Sequence, residues 1–197
     1  MKIMSNILMN SLYKYYTTKG SETRVTKLLD VLEDNSNKVS LRIIDWFVTN
    51  YSKKHGIYYI IYECNDGNKT FNEGNEDIKS TKQFNTYHSY KAQLKSYSKK
   101  RFDPFCRRDR INFEYKEGKY IETTIGQLNF FKWAIDNLII DYIQENYNEI
   151  ENDMNQSYNL IKKEKKTTNE RKKRQELSKS ASRGLNSNNI SVILDFS

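Results

Sequence analysis

Residues 123–143, which read TTIGQLNFFKWAIDNLIIDYI, predict the centre of the fold. Thr124 is placed as the N-cap of a helix, with Gln127 three residues later as its capping-box partner. Beyond this cap the apolar residues recur at steps of three or four, as on the buried side of a helix. They are Leu128, Phe131, Ile135, Leu138 and Tyr142. The pattern therefore predicts a helix whose first half is enclosed by the core of the domain.

A second apolar row continues this helix toward the C-terminus. It comprises Ile139, Ile143, Tyr147, Ile150, Met154 and Ile161. We therefore predict one long helix. From Tyr147 onward the apolar side narrows to a seam, which predicts a portion that projects from the domain or pairs with another chain.

Before this helix the sequence alternates between helical and strand patterns. Helices are predicted over residues 5–18, after the N-cap Ser21, and from the N-cap Ser40 to a C-terminal Gly56. The run IYYIIYEC from Ile57 has the composition of a strand. The Asn-Asp-Gly-Asn turn at residues 65–68 then brings residues 69–71 back as a second, short strand.

Two further regions before residue 123 complete the predicted fold. Residues 72–83 are polar and predict an exposed loop, whereas residues 111–115 and 120–122 predict a hairpin around Gly118. The fold class is α+β: N-terminal helices, a small antiparallel sheet and one long C-terminal helix, followed by a basic flexible tail. The predicted boundaries are a domain at 1–150, a helix extension and basic tail at 151–184, and a short apolar segment at 185–197.

Charge indicates the kind of partner. The 197-residue chain has a net charge of +8 and a pI near 9.2, which favours an anionic partner. Nucleic acid ranks first, an acidic protein second and a membrane surface third. No apolar run reaches the length of a transmembrane span and no secretory signal is evident. Cys64 and Cys106 are therefore expected to be reduced thiols in an intracellular, soluble protein without a membrane partner.

The stretch from residue 84 to residue 113, FNTYHSYKAQLKSYSKKRFDPFCRRDRINF, concentrates the unusual chemistry. Between Lys91 and Arg110 it has eight cationic and two acidic side chains, an excess of +6, interleaved with aromatic rings. Cations next to flat rings suit a polyanion with planar bases. Tyr87, Tyr90, Leu94 and Tyr97 follow helical spacing to about Lys99, and Pro104 then requires a bend that presents Arg107 and Arg108.

A second basic region lies near the C-terminus. Residues 162–183 contain ten Lys or Arg against three Glu, an excess of +7, in a composition too polar to fold alone. The apolar run at 190–196 suggests an added strand or a docking peptide. The candidate nucleic-acid-binding residues of the two regions are Lys95, Lys99, Lys100, Arg101, Arg107, Arg108, Arg110, Tyr97, Phe102, Arg171, Lys172, Lys173 and Arg174.

Each of these signals has a structural alternative. Arg107, Arg108 and Arg110 suit phosphate binding through guanidinium groups, and they equally suit ion pairs with Asp103 and Asp109. Phe102 and Phe105 suit core anchors for the bend more than stacking platforms. Lysine-rich segments also serve solubility alone.

Catalytic, metal and cofactor motifs are missing from the sequence. His55, His88, Cys64 and Cys106 lack the close pairing typical of a zinc site. Cys106 has neighbouring arginines, yet neither a partner His nor a glycine-rich oxyanion loop is evident. The sequence therefore predicts a non-enzymatic protein with no cofactor.

Three stretches carry a family resemblance: residues 41–54 (LRIIDWFVTNYSKK), 90–111 (YKAQLKSYSKKRFDPFCRRDRI) and 123–143. Together they resemble an uncharacterised family encoded by nucleocytoplasmic large DNA viruses, including giant viruses, algal viruses and iridoviruses. The resemblance covers roughly residues 40–145. It implies a viral origin and a place in the virion, or in the cytoplasm or nucleus of an infected cell, and it assigns no functional residue.

These observations predict a viral protein that binds DNA or RNA in transcription or genome packaging. The competing hypothesis is a structural virion component whose tail contacts a neighbouring capsid or core protein. Virion or transcription proteins are then further partners. The oligomeric state is not indicated by the sequence.

Overall fold

A computed structural model describes residues 2–33, 39–71, 78–107 and 109–167. The helices are α1 (Lys2–Thr17), α2 (Glu22–Leu32), α3 (Leu41–Trp46), α4 (Ser52–His55), α5 (Thr86–Arg101), α6 (Ile125–Asp136), α7 (Ile139–Glu145) and α8 (Tyr147–Thr167), with a π-helical turn at Phe47–Tyr51. The strands are β1 (Tyr58–Cys64), β2 (Lys69–Thr70), β3 (Ile78–Asn85), β4 (Ile111–Lys116) and β5 (Lys119–Thr123). The predicted α+β class is confirmed.

Helix α6 is the centre of the core, as its apolar sequence predicts. Nine of its twelve residues are buried. Thr124 caps it by accepting a hydrogen bond from the backbone N–H of Gln127 at 3.1 Å. The Gln127 side chain takes no part in a capping box, since its Oε1 accepts from the Thr123 hydroxyl at 2.8 Å. The helix start was thus predicted correctly, with a different role for Gln127.

The predicted long helix is divided into α6, α7 and α8. Leu138 has a left-handed conformation (φ 56°), and the Asn137 side chain donates to the Trp133 carbonyl at 2.8 Å, so the α6 hydrogen-bond pattern stops there. Asn146 ends α7 in the same way, by donating from its side chain to the Tyr142 carbonyl at 2.9 Å. Asparagine side chains compete with the helical backbone in this manner. The apolar spacing continues across both breaks and therefore conceals them.

The N-terminal helices pack on α6. Leu12 and Tyr16 of α1 are fully buried, and the Tyr16 hydroxyl donates to the Leu128 carbonyl at 3.0 Å. Ser21 precedes α2 as predicted, but its hydroxyl donates to the Tyr16 carbonyl at 2.7 Å and makes no capping bond. Its role is to hold the connection between the two helices.

The segment from α3 to α4 matches its predicted limits. Ser40 accepts from the Ile43 backbone N–H, and Gly56 ends α4 with φ 62°, a conformation that glycine adopts without steric cost. The π-helical turn between α3 and α4 was not predicted.

The first sheet has the order β2-β1-β3, and all its pairs are antiparallel. The β1 and β2 pair and the turn between them were predicted. Strand β3 was not, because residues 72–83 were predicted to form a loop; the structure pairs Ile78 with Cys64 and Asn85 with Tyr58. Its first six residues are exposed, so no alternation of apolar and polar side chains marks it as a strand.

The second sheet is the predicted hairpin, in which β4 pairs with β5 and Ile111 lies opposite Thr123. Gly118 in its turn has φ 70°. Phe113 is buried against α1, with its ring centroid 5.8 Å from that of Tyr16.

Helix α8 is attached to the α3–α4 segment by Asp153. Its carboxylate accepts from the Trp46 indole at 3.1 Å, forms an ion pair with Lys54 and lies 3.5 Å from His55 Nε2. Ile150 and Met154 are buried in the same core. The prediction that the chain projects or pairs with another chain from Tyr147 onward is therefore wrong for this part of the helix.

The side chain of Asp153 should make stability depend on pH. Burial favours the neutral acid, but the hydrogen bonds from Lys54, Trp46 and His55 hold the pKa of Asp153 below its usual range. A lowered carboxyl pKa stabilises the fold above the unfolded pKa, and this contribution is lost as the pH falls through the folded pKa. We expect Asp153→Asn to lower the free energy of unfolding by about 1–3 kcal/mol at pH 7 and by less at pH 3, which lies below the unfolded carboxyl pKa of about 3.9. Urea denaturation at the two pH values measures this.

Asp30→Asn is the matched control, because Asp30 is exposed on α2. It should change stability by less than about 0.5 kcal/mol at either pH. An Asp153→Asn effect of equal size at both pH values would contradict the electrostatic explanation.

The chain divides into two compact units, Met1–Ser157 and Tyr158–Ser197. The first contains both sheets and the core. In the second, the structure describes the end of α8, where Tyr158 and Leu160 are exposed. The predicted basic tail, apart from the helical residues up to Thr167, and the apolar segment at 185–197 lie outside the described residues.

Candidate nucleic-acid interface

Helix α5 presents a row of lysines to solvent, which we call the lysine row: Lys91, Lys95 and Lys99. Lys91 and Lys95 are four residues apart in the regular part of the helix and so lie on the same side of it, and Lys99 follows just beyond the interruption at Ser98. Among the described residues, Lys91 and Lys95 have no ion pair or hydrogen-bond partner for their ammonium groups. The sequence of α5, TYHSYKAQLKSYSKKR, has no acidic residue. The positive charge of this face is therefore not neutralised from within the helix.

The helix is interrupted just before its last turn. Asn85 caps its start by accepting from the His88 backbone N–H at 3.0 Å, but Ser98 has φ 56° and ψ 167°. That region of backbone space is natural for glycine and costs another residue about 1–3 kcal/mol. Beyond it, Lys99 and Lys100 are exposed and Arg101 is half-buried.

The predicted bend after α5 is present and is fixed to α6. The Asp103 backbone N–H donates to the Gly126 carbonyl at 3.2 Å, and the Asn129 side chain donates to the Arg101 carbonyl at 2.9 Å. A Cβ atom on Gly126 would lie only 3.2 Å from the Lys100 carbonyl oxygen, so this glycine permits the close approach of the two segments. These hydrogen bonds to α6 fix the backbone that carries the basic residues on either side of the bend.

Phe102 belongs to the core. It is 1% exposed, and its ring centroid lies 5.2 Å from that of Phe130 and 5.3 Å from that of Trp133. The prediction that Phe102 flanks the phosphate contacts is therefore wrong, because its ring does not reach the surface.

Tyr97 also lies away from the lysine row. It is half-buried on the side of α5 that packs against the core and lines a cavity together with Gln93 and Asn129. The role predicted for Tyr97 beside Lys95 and Lys99 therefore stays a prediction. The helical spacing in the sequence shows which residues of α5 share a face, but it does not show which face is buried.

The arginines after the bend form surface ion pairs. Arg107 Nε lies 3.4 Å from Asp103 Oδ2, and its guanidinium carbon lies 4.4 Å from the Phe105 ring centroid. Arg110 Nη1 lies 2.5 Å from Glu122 Oε1. Both arginine side chains remain about 60% exposed, so the ion pairs do not turn them inward. Arg108 and residues 171–174 lie outside the described residues.

Lys99 and Arg107 both act on one carboxyl group, that of Asp45 on α3. Burial raises the pKa of Asp45, and the positive charges of Arg107 and Lys99 oppose the shift. Burial, together with Asp45 and Asp103, raises the pKa of Tyr90 to about 12. The structure therefore brings the end of the lysine row and Arg107 into electrostatic range of the same group.

Sequence reasoning missed a second group of cations, which we call the lysine pocket: Lys69 on β2, Lys82 on β3 and Lys132 on α6. These side chains meet at Asp136 and Asn137, where α6 ends. No sequence signal joins positions so far apart, and β3 was predicted as a loop.

The part of the chain that the structure describes lacks the features of a metal site, a disulfide and a membrane-spanning helix. There, no group of three or more His, Cys, Asp or Glu is placed to hold a metal ion. Cys64 is buried and Cys106 half-buried, and the described residues contain no disulfide. None of the described helices combines the length and the hydrophobicity needed to cross a lipid bilayer.

Comparisons with known proteins give a family match. The model described as "Family of unknown function (DUF7197)" matches residues 4–191. Uncharacterized protein L507 of Acanthamoeba polyphaga mimivirus is 38% identical over 149 residues, which cover 73% of this chain and 52% of that protein. The chain thus spans about half the length of this relative. No solved structure matches the chain.

Proposed function

Since the chain belongs to the family of unknown function DUF7197, we propose its role from its own surface: a non-enzymatic protein that binds nucleic acid. The proposed contact surface is the lysine row with Lys100 and Arg107. Transcription or genome packaging in infected cells are the processes that such a protein would serve.

The observation that carries this proposal is the concentration of positive charge on α5. The helix has five cationic residues and no acidic one, and its lysine row is exposed. Lysine ammonium groups on one helix face suit the phosphates of a nucleic-acid backbone. Binding releases condensed counterions and so gains free energy without reading the sequence.

The interrupted end of α5 and the bend extend this surface. Lys100 and Arg107 are exposed, and Arg107 stacks on the half-buried Phe105. An arginine held on an aromatic ring loses less conformational freedom when it binds a phosphate. Arg107 and Arg110 each have a carboxylate neighbour, Asp103 at 3.4 Å and Glu122 at 2.5 Å, and Arg110 has the shorter ion pair, so it contributes less. The basic residues of the predicted tail would add sequence-independent affinity.

The test removes the lysine row. We expect the triple variant Lys91→Gln, Lys95→Gln and Lys99→Gln to weaken binding to both duplex DNA and single-stranded RNA. Each lost phosphate contact removes about 0.9 from the slope of log affinity against log salt on duplex DNA, so the slope should decrease by nearly three. Fluorescence anisotropy at several salt concentrations measures both quantities.

The matched control removes the same charge elsewhere. Lys14, Lys116 and Lys119 are exposed residues of α1 and the β4–β5 hairpin. Their triple glutamine variant should keep most of the affinity and most of the slope. Equal losses of affinity in both triple variants would show that binding depends only on net charge, and would overturn the proposed surface. A wild-type chain that binds neither nucleic acid would overturn the function and favour the structural virion role.

A further inference from the structure

The three lysines of the lysine pocket line a cavity of about 420 Å³ between α1, β2, β3, α5 and α6. Its size lies within the range typical of small-molecule sites. Besides the three lysines, the wall includes Tyr97, Asn129 and Trp133.

The three ammonium groups approach the pocket from three elements. Lys69 Nζ lies 3.4 Å from the Asp136 carbonyl oxygen, and Lys82 Nζ lies 3.1 Å from Asn137 Oδ1. Both contacts are to neutral oxygens. Lys132 Nζ lies 2.8 Å from Asp136 Oδ2, an ion pair in which the carboxylate also accepts from the Tyr15 hydroxyl at 2.8 Å. Three positive charges and one negative charge leave the pocket with an excess of +2.

Helix capping accounts for at most one of these lysines. The Trp133 carbonyl accepts from the backbone N–H and the side chain of Asn137, and the Ile135 carbonyl accepts from the Leu138 N–H at 3.1 Å, so only the Asp136 carbonyl is left to Lys69. Lys69 and Lys82 are exposed, and each makes one hydrogen bond, to an oxygen that carries no charge; Lys82 Nζ also lies 5.6 Å from the Phe84 ring centroid. A bound anion would give them stronger, charge-assisted hydrogen bonds.

A neighbouring cavity shows that this charge is not a general property of the surface. A larger cavity of about 690 Å³ between α1, α2 and the β4–β5 hairpin is lined by Lys19 and Lys116, but also by Glu22, Glu114 and Glu117. Its charged residues have an excess of −1, which does not suit an anion. The lysine pocket therefore differs from this larger cavity in the sign of its net charge.

The uncharged part of the wall narrows the ligand class. Gln93 brings an amide group and Tyr97 an aromatic ring to a cavity that also contains the lysines, whereas the amides of Asn129 and Asn137 already bond the Arg101 and Trp133 carbonyls. Amides pair with the donors and acceptors of a base, and rings pack on its face. We propose that the lysine pocket binds a nucleotide, with its phosphate at Lys69, Lys82 and Lys132. This site is separate from the lysine row and does not depend on it.

The test uses ATP, AMP, inorganic phosphate and an oligo(dT) strand as probes in isothermal titration calorimetry. The variant Lys69→Met with Lys82→Met removes the two ammonium groups that contact neutral oxygens, so no carboxylate loses its partner. We expect it to weaken ATP and AMP binding by about tenfold or more. The control, Lys14→Met with Lys119→Met, removes the same charge from α1 and the β4–β5 hairpin and should leave mononucleotide binding unchanged.

Two results would support the site, and they show whether the nucleotide it binds is part of a strand or free in solution. If the pocket takes a nucleotide of a strand, ATP competes with oligo(dT), and the pocket variant weakens both ligands. If it takes a free nucleotide, ATP binding is lost in the pocket variant while oligo(dT) binding is retained. The proposal is overturned if ATP and AMP do not bind at millimolar concentration, if inorganic phosphate binds as tightly as AMP, or if both double variants lose mononucleotide binding equally. Loss of oligo(dT) binding in the lysine-row variant alone bears on the proposed function and not on this site.

Discussion

Replacing Phe102 with alanine will lower the free energy of unfolding by about 3–5 kcal/mol. The side chain is fully enclosed, and the rings of Phe130, Trp133 and Tyr90 surround it with centroids 5.2–6.0 Å away. Its loss removes buried apolar area and leaves a cavity that a bend tied to α6 cannot fill by collapsing. Urea denaturation at pH 7 measures the change.

Two further variants make this result specific. Tyr120→Ala removes an aromatic ring that is 59% exposed and should change stability by less than about 0.5 kcal/mol. Phe102→Leu keeps much of the volume, so it should fold and should bind nucleic acid as the wild type does. A loss of affinity in Phe102→Leu without a loss of stability would show that the ring contacts the ligand, against its position in the core.

Replacing Gln127 with methionine will lower the free energy of unfolding by about 2–4 kcal/mol. Gln127 is 2% exposed; its Nε2 donates to the Pro104 carbonyl at 2.8 Å and its Oε1 accepts from the Thr123 hydroxyl at 2.8 Å. Methionine fills a similar volume but satisfies neither group. The helix cap itself survives, because Thr124 bonds the backbone N–H of residue 127.

The effect should be concentrated in the bend after α5. Hydrogen exchange of the Asp103 amide, which donates to the Gly126 carbonyl, should accelerate in Gln127→Met. Gln83→Met on the exposed strand β3 is the matched control and should leave both stability and exchange nearly unchanged. A stability change below about 1 kcal/mol in Gln127→Met would show that the two buried groups find other partners.

Much of the fold could be predicted because its helices and turns have strong local signals. Ser40, Gly56 and Thr124 mark helix ends through backbone chemistry that depends on nearest neighbours. Leu138 and β3 could not be predicted: a left-handed leucine has no sequence signature, and a strand exposed over six residues has no alternation. Membership of an uncharacterised giant-virus family was predicted from three short stretches and is confirmed.

The candidate interface was predictable only in part. The excess of cations between residues 91 and 110 predicts a basic surface, and Lys95, Lys99 and Lys100 are exposed. Sequence alone does not say which aromatic rings face the core, so the prediction for Phe102 was wrong. The lysine pocket depends on the pairing of β1 with β3 and on the end of α6, which are tertiary features.

Strand β3 has a consequence for how copies of this protein behave at high concentration. It lies at an edge of its sheet, and an open edge invites a strand from another molecule. Residues 79–83, KSTKQ, offer an incoming strand no apolar side chain. Lys79 and Lys82 of two approaching copies would also repel each other. Among the described strands β3 is the longest, and its polar, cationic edge disfavours pairing with a strand of another copy.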